Sequence, residues 1–459
     1  MKDLTQGPIA RHIFEMAAPM AIGMLIQTAY YLVDLYFVAR IGDAAIAGVA
    51  SAGNVMFIVL GLTQMLGVGT VALISHAVGR KDQPDANLIF NQSLILSVVC
   101  MAITLIGGYA VTGVYMRSIG ADAATTAAGI TYLYCYLPGL ALQFALVAMS
   151  SALRGTGIVK PSMIVSMLTL LLNIILAPIM IAGWGTGHPL GVAGAGLAST
   201  ISIAVGVVLM GIYFARLEKY VAFHGEQWRP RIDTWKRMLA IGLPAGGEFA
   251  LMFVFLATIF WIIRDFGAAA QAGFGVGSRV MQAIFLPAMA IAFATAPIAG
   301  QNFGAKNAAR VRETFRTAAM IGSVIMLTLT LVCQFRPEWF VRGFTQDPQV
   351  IAFGAQYLHI ISWNFVGSGL VFTCSGMFQA LGNTVPALIS TATRLLTFVL
   401  PAIWLSRQPD FRIEHVWYLS VVTVALQAIT SLLLVRMQFR RRLQFDAGPV
   451  VAGPIPVVE

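Results

Sequence analysis

Gly79-Arg80-Lys81 closes one long apolar run, and Gly304-Ala305-Lys306 closes another 225 positions later. The same shift carries Pro19 to Pro244, Gly42 to Gly267, Gly48 to Gly273, Arg117 to Arg342 and Asp122 to Asp347. It also carries Gly129 to Gly354, Tyr132 to Tyr357 and Pro161 to Pro386. Identities that hold one register across half a chain are hard to produce by accident. Internal symmetry in a very hydrophobic chain is a pattern typical of secondary transporters.

The composition points the same way. The chain has 459 residues, 58% hydrophobic and 10% charged, with a mean hydropathy of +0.81. A soluble domain is about 25% charged, so this chain lacks the polar residues to cover a water-facing surface of its size. Twelve apolar stretches, each able to supply a spanning helix of ~20 residues, are expected. They lie near 14–38, 44–75, 88–113, 127–152, 159–182, 190–214, 238–263, 270–300, 316–334, 350–379, 384–405 and 414–436. Pro19, Pro178, Pro244, Pro287, Pro297 and Pro401 fall inside them and predict kinks, because neighbouring helices can satisfy the freed carbonyls. The fold class is therefore an all-α polytopic membrane protein, two parallel six-helix lobes around a central cavity. The expected divisions are an N-terminal lobe (1–215), a linker (216–237), a C-terminal lobe (238–442) and a disordered tail (443–459).

The net charge of +10 is mostly topogenic. One set of loops holds Arg80, Lys81, Arg154, Lys160, Arg229, Arg231, Lys306, Arg310 and Arg440–Arg442, while the opposite set holds few cations, among them Arg40, Arg117, Arg264 and Arg342. The positive-inside bias then places both termini in the cytoplasm and the chain in the inner (plasma) membrane. Charges on short loops between spans do not make a nucleic-acid surface. Cys100, Cys135, Cys333 and Cys374 all fall within spans without paired spacing, and read as core residues.

Ionisable residues within spans are costly, about 2.5–3.5 kcal/mol or more at a helix centre, so each asks for a reason. They are Asp34, Glu248, Arg279, His359 and Arg394. Tyr31, Tyr30 and Gln27 precede Asp34 by three, four and seven positions and share its helical face. Such a polar-aromatic face suits a cavity, and a carboxylate in a low-dielectric setting can exchange a proton near physiological pH. Glu248 and Arg279 read as a pair on adjacent spans, either a structural salt bridge or part of the substrate path, with Gln282 on the face of Arg279. Gln27, Tyr31, Asp34, Gln64, Glu248, Arg279 and Gln282 form the expected substrate-cavity set. Asn173 and Ser199 place further polar atoms inside spans. No nucleophile–base set, HExxH, nucleotide loop or metal cluster is legible, which leaves an enzyme reading without residues.

Val33-Asp34-Leu35-Tyr36-Phe37-Val38-Ala39-Arg40-Ile41-Gly42, Ile74-Ser75-His76-Ala77-Val78-Gly79, Ala152-Leu153-Arg154-Gly155-Thr156-Gly157, Gly300-Gln301-Asn302-Phe303-Gly304-Ala305 and Gln379-Ala380-Leu381-Gly382-Asn383-Thr384 resemble, in order and spacing, the multidrug and toxic compound extrusion (MATE) transporters. The resemblance covers nearly the whole chain apart from the tail, and is closer to the DinF-like branch. It implies two lobes forming a V, and export of organic cations driven by inward H⁺ or Na⁺. It also implies an ion-coupling set in which Asp34 is the first-span acid, with Tyr132, Asn173 and Ser199 beside it.

Two departures matter. Ala177 stands where the DinF-like branch often has a second acid, and residues 366–379 lack the tenth-span acid of the NorM-like branch. Glu248 lies about one turn before the usual seventh-span position. The expectation is therefore a proton-coupled antiporter for amphipathic cations, a monomer with no cofactor and no nucleic-acid partner. The alternatives are Na⁺ coupling, a flippase for lipid-linked sugars (which should show several cavity arginines or lysines), and a channel.

Overall fold

The computed structural model describes residues 1–120, 122–343 and 345–445, without the side chains of residues 31, 35, 54, 57, 268 and 269. These residues form helices α1 (Ile9–Ala39), α2 (Asp43–Gly79), α3 (Gln83–Ile119), α4 (Ala123–Gly155), α5 (Lys160–Ala182), α6 (Val192–Arg216) and α7 (Ile232–Ile263). They are followed by α8 (Ala268–Gly304), α9 (Ala308–Phe335), α10 (Pro337–Arg342), α11 (Pro348–Ile361), α12 (Asn364–Ala380), α13 (Val385–Ser406) and α14 (Ile413–Arg442). Among the described residues there is no strand. Among the described residues eleven helices are long and apolar enough to cross a membrane, and α11 with α12, bent by 60°, pass the same test together as one broken span, the tenth in chain order.

That bend adds to the kinks expected at prolines, since it falls at Ser362–Trp363, where no proline stands. Its freed carbonyls are instead met by side chains of α9. Thr330 Oγ1 donates to Ser362 O at 3.0 Å and Gln334 Nε2 donates to His359 O at 2.7 Å. Inside a bilayer such partners are what make a broken helix tolerable. Leu443 is buried and the Phe445 ring meets Phe303, so the start of the expected tail is packed, and the remainder lies outside the described residues.

The 225-residue repeat is a repeat of helix punctuation. Lys81 (φ 60°) and Lys306 (φ 57°) are the positive-φ residues other than glycine among those described, each ending the turn after a long second helix of its half. A side chain in that region is strained, so the turn geometry itself is duplicated. One residue on, Asp82 and Asn307 cap α3 and α9 by accepting from the backbone N–H of Asp85 and Arg310. Asp122 and Asp347 cap α4 and α11 in the same way.

The halves meet near the end of the bundle that carries both termini. His76 donates from its ring nitrogen to Ala380 O at 2.6 Å, and Gln301 Nε2 donates to Gly155 O at 3.1 Å. Under the 225-residue shift these are one bond made twice, once in each direction. Close backbone crossings surround them: a Cβ on Gly79 would lie 2.0 Å from Gln301 O, and one on Gly304 2.2 Å from His76 O. The N-terminal segment straps across this gate. Leu4 N–H donates to Gln301 Oε1 (2.9 Å), Asn302 Nδ2 to Leu4 O (3.2 Å) and Arg310 Nη2 to Gly7 O (2.9 Å). Gln27 of α1 and Arg279 and Gln282 of α8 are exposed.

The linker between the halves is bound to α3. Asn91 Nδ2 donates to Ala222 O (2.9 Å), and its Oδ1 accepts from His224 N–H and Trp228 Nε1 (both 3.1 Å). Gln92 holds Gln227 O and Arg229 O at 2.7 and 2.8 Å. Asn91→Ala strips several of these bonds at once and is expected to cost about 1–3 kcal/mol. The measurement is limited trypsinolysis, where faster cleavage after Arg231 with a lowered melting temperature is the expected outcome.

Candidate functional site

Asp34 is carried by α1 into a polar island walled by α4, α5 and α6. The approach of α6 depends on small residues, and at Gly196 a Cβ would stand 2.8 Å from Tyr132 O. Small residues are how membrane helices bring backbones close. The result is that Ser199, fully buried on α6, donates from Oγ to Asp34 Oδ2 at 2.7 Å. Asn173 on α5, also fully buried, donates from Nδ2 to Ser199 Oγ at 3.5 Å. Tyr30 OH donates to Ser199 O at 3.3 Å. Tyr132 is buried with its ring 5.4 Å from that of Tyr136.

Asp34, Asn173 and Ser199 are thus one cluster. Two acceptor atoms in it, Asp34 Oδ1 and Asn173 Oδ1, are buried with no hydrogen-bond partner. A buried unsatisfied polar atom is expensive, and an acceptor-only carboxylate beside an unpaired amide oxygen lacks a donor or a cation. One turn beyond Asp34, Phe37, Arg40 and Trp184 line a cavity of about 480 Å³.

The other expected residues scatter. Of the aromatic pair before Asp34, Tyr30 makes the bond into the cluster, while the side chain of Tyr31 lies outside the described residues. Gln27 is exposed and Gln64 half-buried. Glu248 and Arg279 do not pair: among the described residues no ion pair joins them, and Arg279 and Gln282 are exposed. Glu248 instead accepts from Thr391 Oγ1 at 3.2 Å and Ser375 Oγ at 3.4 Å, and Gln427 Nε2 reaches Thr391 Oγ1 at 3.4 Å. The reason is that α7 packs on α13, so its inward face meets α12 and α13 rather than the outer half of α8. Spacing within one helix carries no information about such partners. His359 is exposed near the bend between α11 and α12.

Comparison with known proteins agrees with this architecture. The MatE family model matches twice, over residues 19–179 and 244–405, and the two matches begin 225 residues apart. A probable multidrug resistance protein, YpnP, of Bacillus subtilis is 24% identical over 419 residues, covering 90% of each chain. An FAD transporter of Shewanella oneidensis is 24% identical, covering 87% of this chain and 89% of its own. The multidrug export protein MepA of Staphylococcus aureus is 23% identical over 98% of both. Among solved structures, a MATE transporter in the bent conformation superposes with a TM-score of 0.90 at 25% identity, covering 95% of this chain and 97% of that one. An outward-facing multidrug resistance MATE transporter gives 0.89 at 25%, covering 96% and 98%. The family model alone spans more than half the chain. The protein belongs to the MatE family, and is a multi-pass membrane transporter of the multidrug type rather than an enzyme.

Proposed function

We propose that the protein exports amphipathic organic cations from the cytoplasm across the plasma membrane in exchange for protons, with Asp34 as the shared site. The observation that carries this is the buried Asp34 carboxylate with one oxygen satisfied by Ser199 and the other unpartnered beside Asn173. A single proton supplies the donor that this cluster lacks. A cation binds the same carboxylate when the proton is absent, so the two ligands compete and exchange follows from one site.

In the proposed cycle, both termini are cytoplasmic, as the loop charges favour. With that orientation the closed contact of His76, Gln301 and the N-terminal strap lies on the cytoplasmic side, as an outward-open state requires. A proton entering from outside neutralises Asp34, disfavours the exported cation and permits return to the inward-open state. Deprotonation on the cytoplasmic side readies the site for the next cation. The names of the relatives support a small organic substrate. Ala177 in place of a second acid supports H⁺ over Na⁺, because Na⁺ prefers several oxygens with negative charge. The placement of the acid in the N-lobe favours the DinF-like branch.

The deciding experiment is ethidium efflux from proteoliposomes with H⁺ and Na⁺ gradients imposed separately. A proton gradient should drive efflux at least about tenfold faster than none, which corresponds to about 1.4 kcal/mol of barrier. A Na⁺ gradient alone should leave the rate at its resting level. Efflux that follows Na⁺ and ignores pH would assign the cluster to Na⁺ and overturn proton coupling.

A further inference from the structure

Arg394, on α13, presents a guanidinium without a counter-charge. Its Cζ stands 4.5 Å from the centroid of the Phe255 ring, which packs on Phe398 at 4.6 Å. Its Nε is buried with no hydrogen-bond partner. Among the described residues no carboxylate lies within ion-pair distance of it. Glu248 is held by Thr391, three residues before Arg394 and on the same helical face. Acid and base are thus a helical turn apart on one seam without meeting.

A cation in an apolar membrane seam is unfavourable unless paired, and arginine cannot discharge itself by losing a proton. An aromatic face offsets part of that penalty but offers no acceptor to the guanidinium N–H groups. The helix that carries Phe255 also packs on the N-lobe, where Gly246 of α7 approaches Gly61 of α2. Tyr357, within electrostatic range of Arg394, adds a further aromatic wall, its hydroxyl donating to Met281 Sδ at 2.8 Å.

We propose that Arg394 is an oxyanion-binding subsite of the C-lobe, and that the transported class includes amphipathic aromatic molecules bearing a phosphate or a carboxylate. The fork of a guanidinium matches both groups in bidentate fashion, and the partly buried Phe255 ring, backed by Phe398, suits a planar aromatic body. The two lobes then have opposite polarity: Asp34 accepts a cation or proton on one side, and Arg394 accepts an oxyanion on the other. Molecules carrying both charges can engage both lobes at once. The inference rests on reading the interlobe cleft as the substrate path.

The test uses matched fluorescent pairs on the purified full-length protein in nanodiscs. Flavin mononucleotide is compared with riboflavin for phosphate, and 1-pyrenebutyrate with 1-pyrenebutanol for carboxylate. In each pair the oxyanion is expected to bind about tenfold tighter, equivalent to about 1.4 kcal/mol. Arg394→Gln should reduce that preference to less than about twofold, and Arg394→Lys should keep part of it because charge remains without the fork. Preference in only one pair would name the oxyanion. A ratio near one in the wild-type protein for both pairs overturns the subsite without any variant. So does a preference that survives in Arg394→Gln, which would leave Arg394 as a packing cation on Phe255. Ethidium binding is read in the same samples. Its absence in the wild type would sink the cation reading of the N-lobe, while the matched ratios still decide Arg394.

Discussion

Asp34→Asn is expected to abolish proton-driven ethidium efflux, lowering it by at least about tenfold, or about 1.4 kcal/mol of barrier, while the protein stays folded. The amide preserves size and the ability to accept from Ser199 Oγ, which in the native cluster is 2.7 Å away. It removes the group that alternates between charged and neutral, so exchange loses the step in which the two ligands compete. Losing a buried charge from an apolar surrounding relieves a desolvation penalty, so the melting temperature should hold or rise. The informative readout is therefore a split, with thermal stability retained and coupling gone. Efflux that still follows an imposed pH gradient in this variant would remove Asp34 from the mechanism.

Gly79→Ala is expected to disable transport from a position that lies at the lobe interface, outside the polar cluster. Its new Cβ would sit 2.0 Å from Gln301 O and 2.8 Å from the carbonyl carbon, both backbone atoms that cannot rotate aside. The two second helices must part by an ångström or more. The bonds from His76 to Ala380 and from Gln301 to Gly155 depend on that approach. Efflux should drop more than about tenfold, a barrier change of about 1.4 kcal/mol, with the gate held open on the side of the termini. Ser75 is fully buried in this interface, where a Cβ on Gly300 would lie 2.2 Å from its Oγ. A cysteine placed there, in a protein lacking its four native thiols, should become reactive to a maleimide only when Gly79→Ala is present. Wild-type efflux together with a protected Cys at that position would show that the interface tolerates the methyl group.

Much of the architecture could be read from one sequence because it is written in local terms. Apolar length marks the spans, and the pairs Lys81/Lys306 and Asp122/Asp347 mark turns and caps that reappear in the structure. The bend between α11 and α12 was not legible, since its signal is distributed over Thr330 and Gln334 of another helix. The candidate site divides along the same line. Asp34 stands out as an acid in an apolar run, whereas its nearness to Ser199 and Asn173 followed from family resemblance rather than from spacing. The expected pairing of Glu248 with Arg279 failed because proximity in chain order says little about which helix faces pack. Gln301 and His76 appeared only as parts of short motifs. Their reciprocal bonding became visible when the two halves were set against each other in space.

The reciprocal bonds at the gate have the form of an isologous contact, in which each partner offers the same patch to the other. Each half sends a side chain from its second long helix to the carbonyl that closes the other half's fourth span, through His76 in one direction and Gln301 in the other. A half-length ancestor dimerising with its own copy would form both bonds from a single gene position. Fusion into one reading frame released that position, and every other, from the obligation to serve twice. Asp34 could then face Ile259 as its sequence counterpart, and Arg394 could arise where the first half keeps Thr169. A symmetric homodimer has to place any charge it adopts in both halves; this chain places Asp34 in one and Arg394 in the other without a charged sequence counterpart for either.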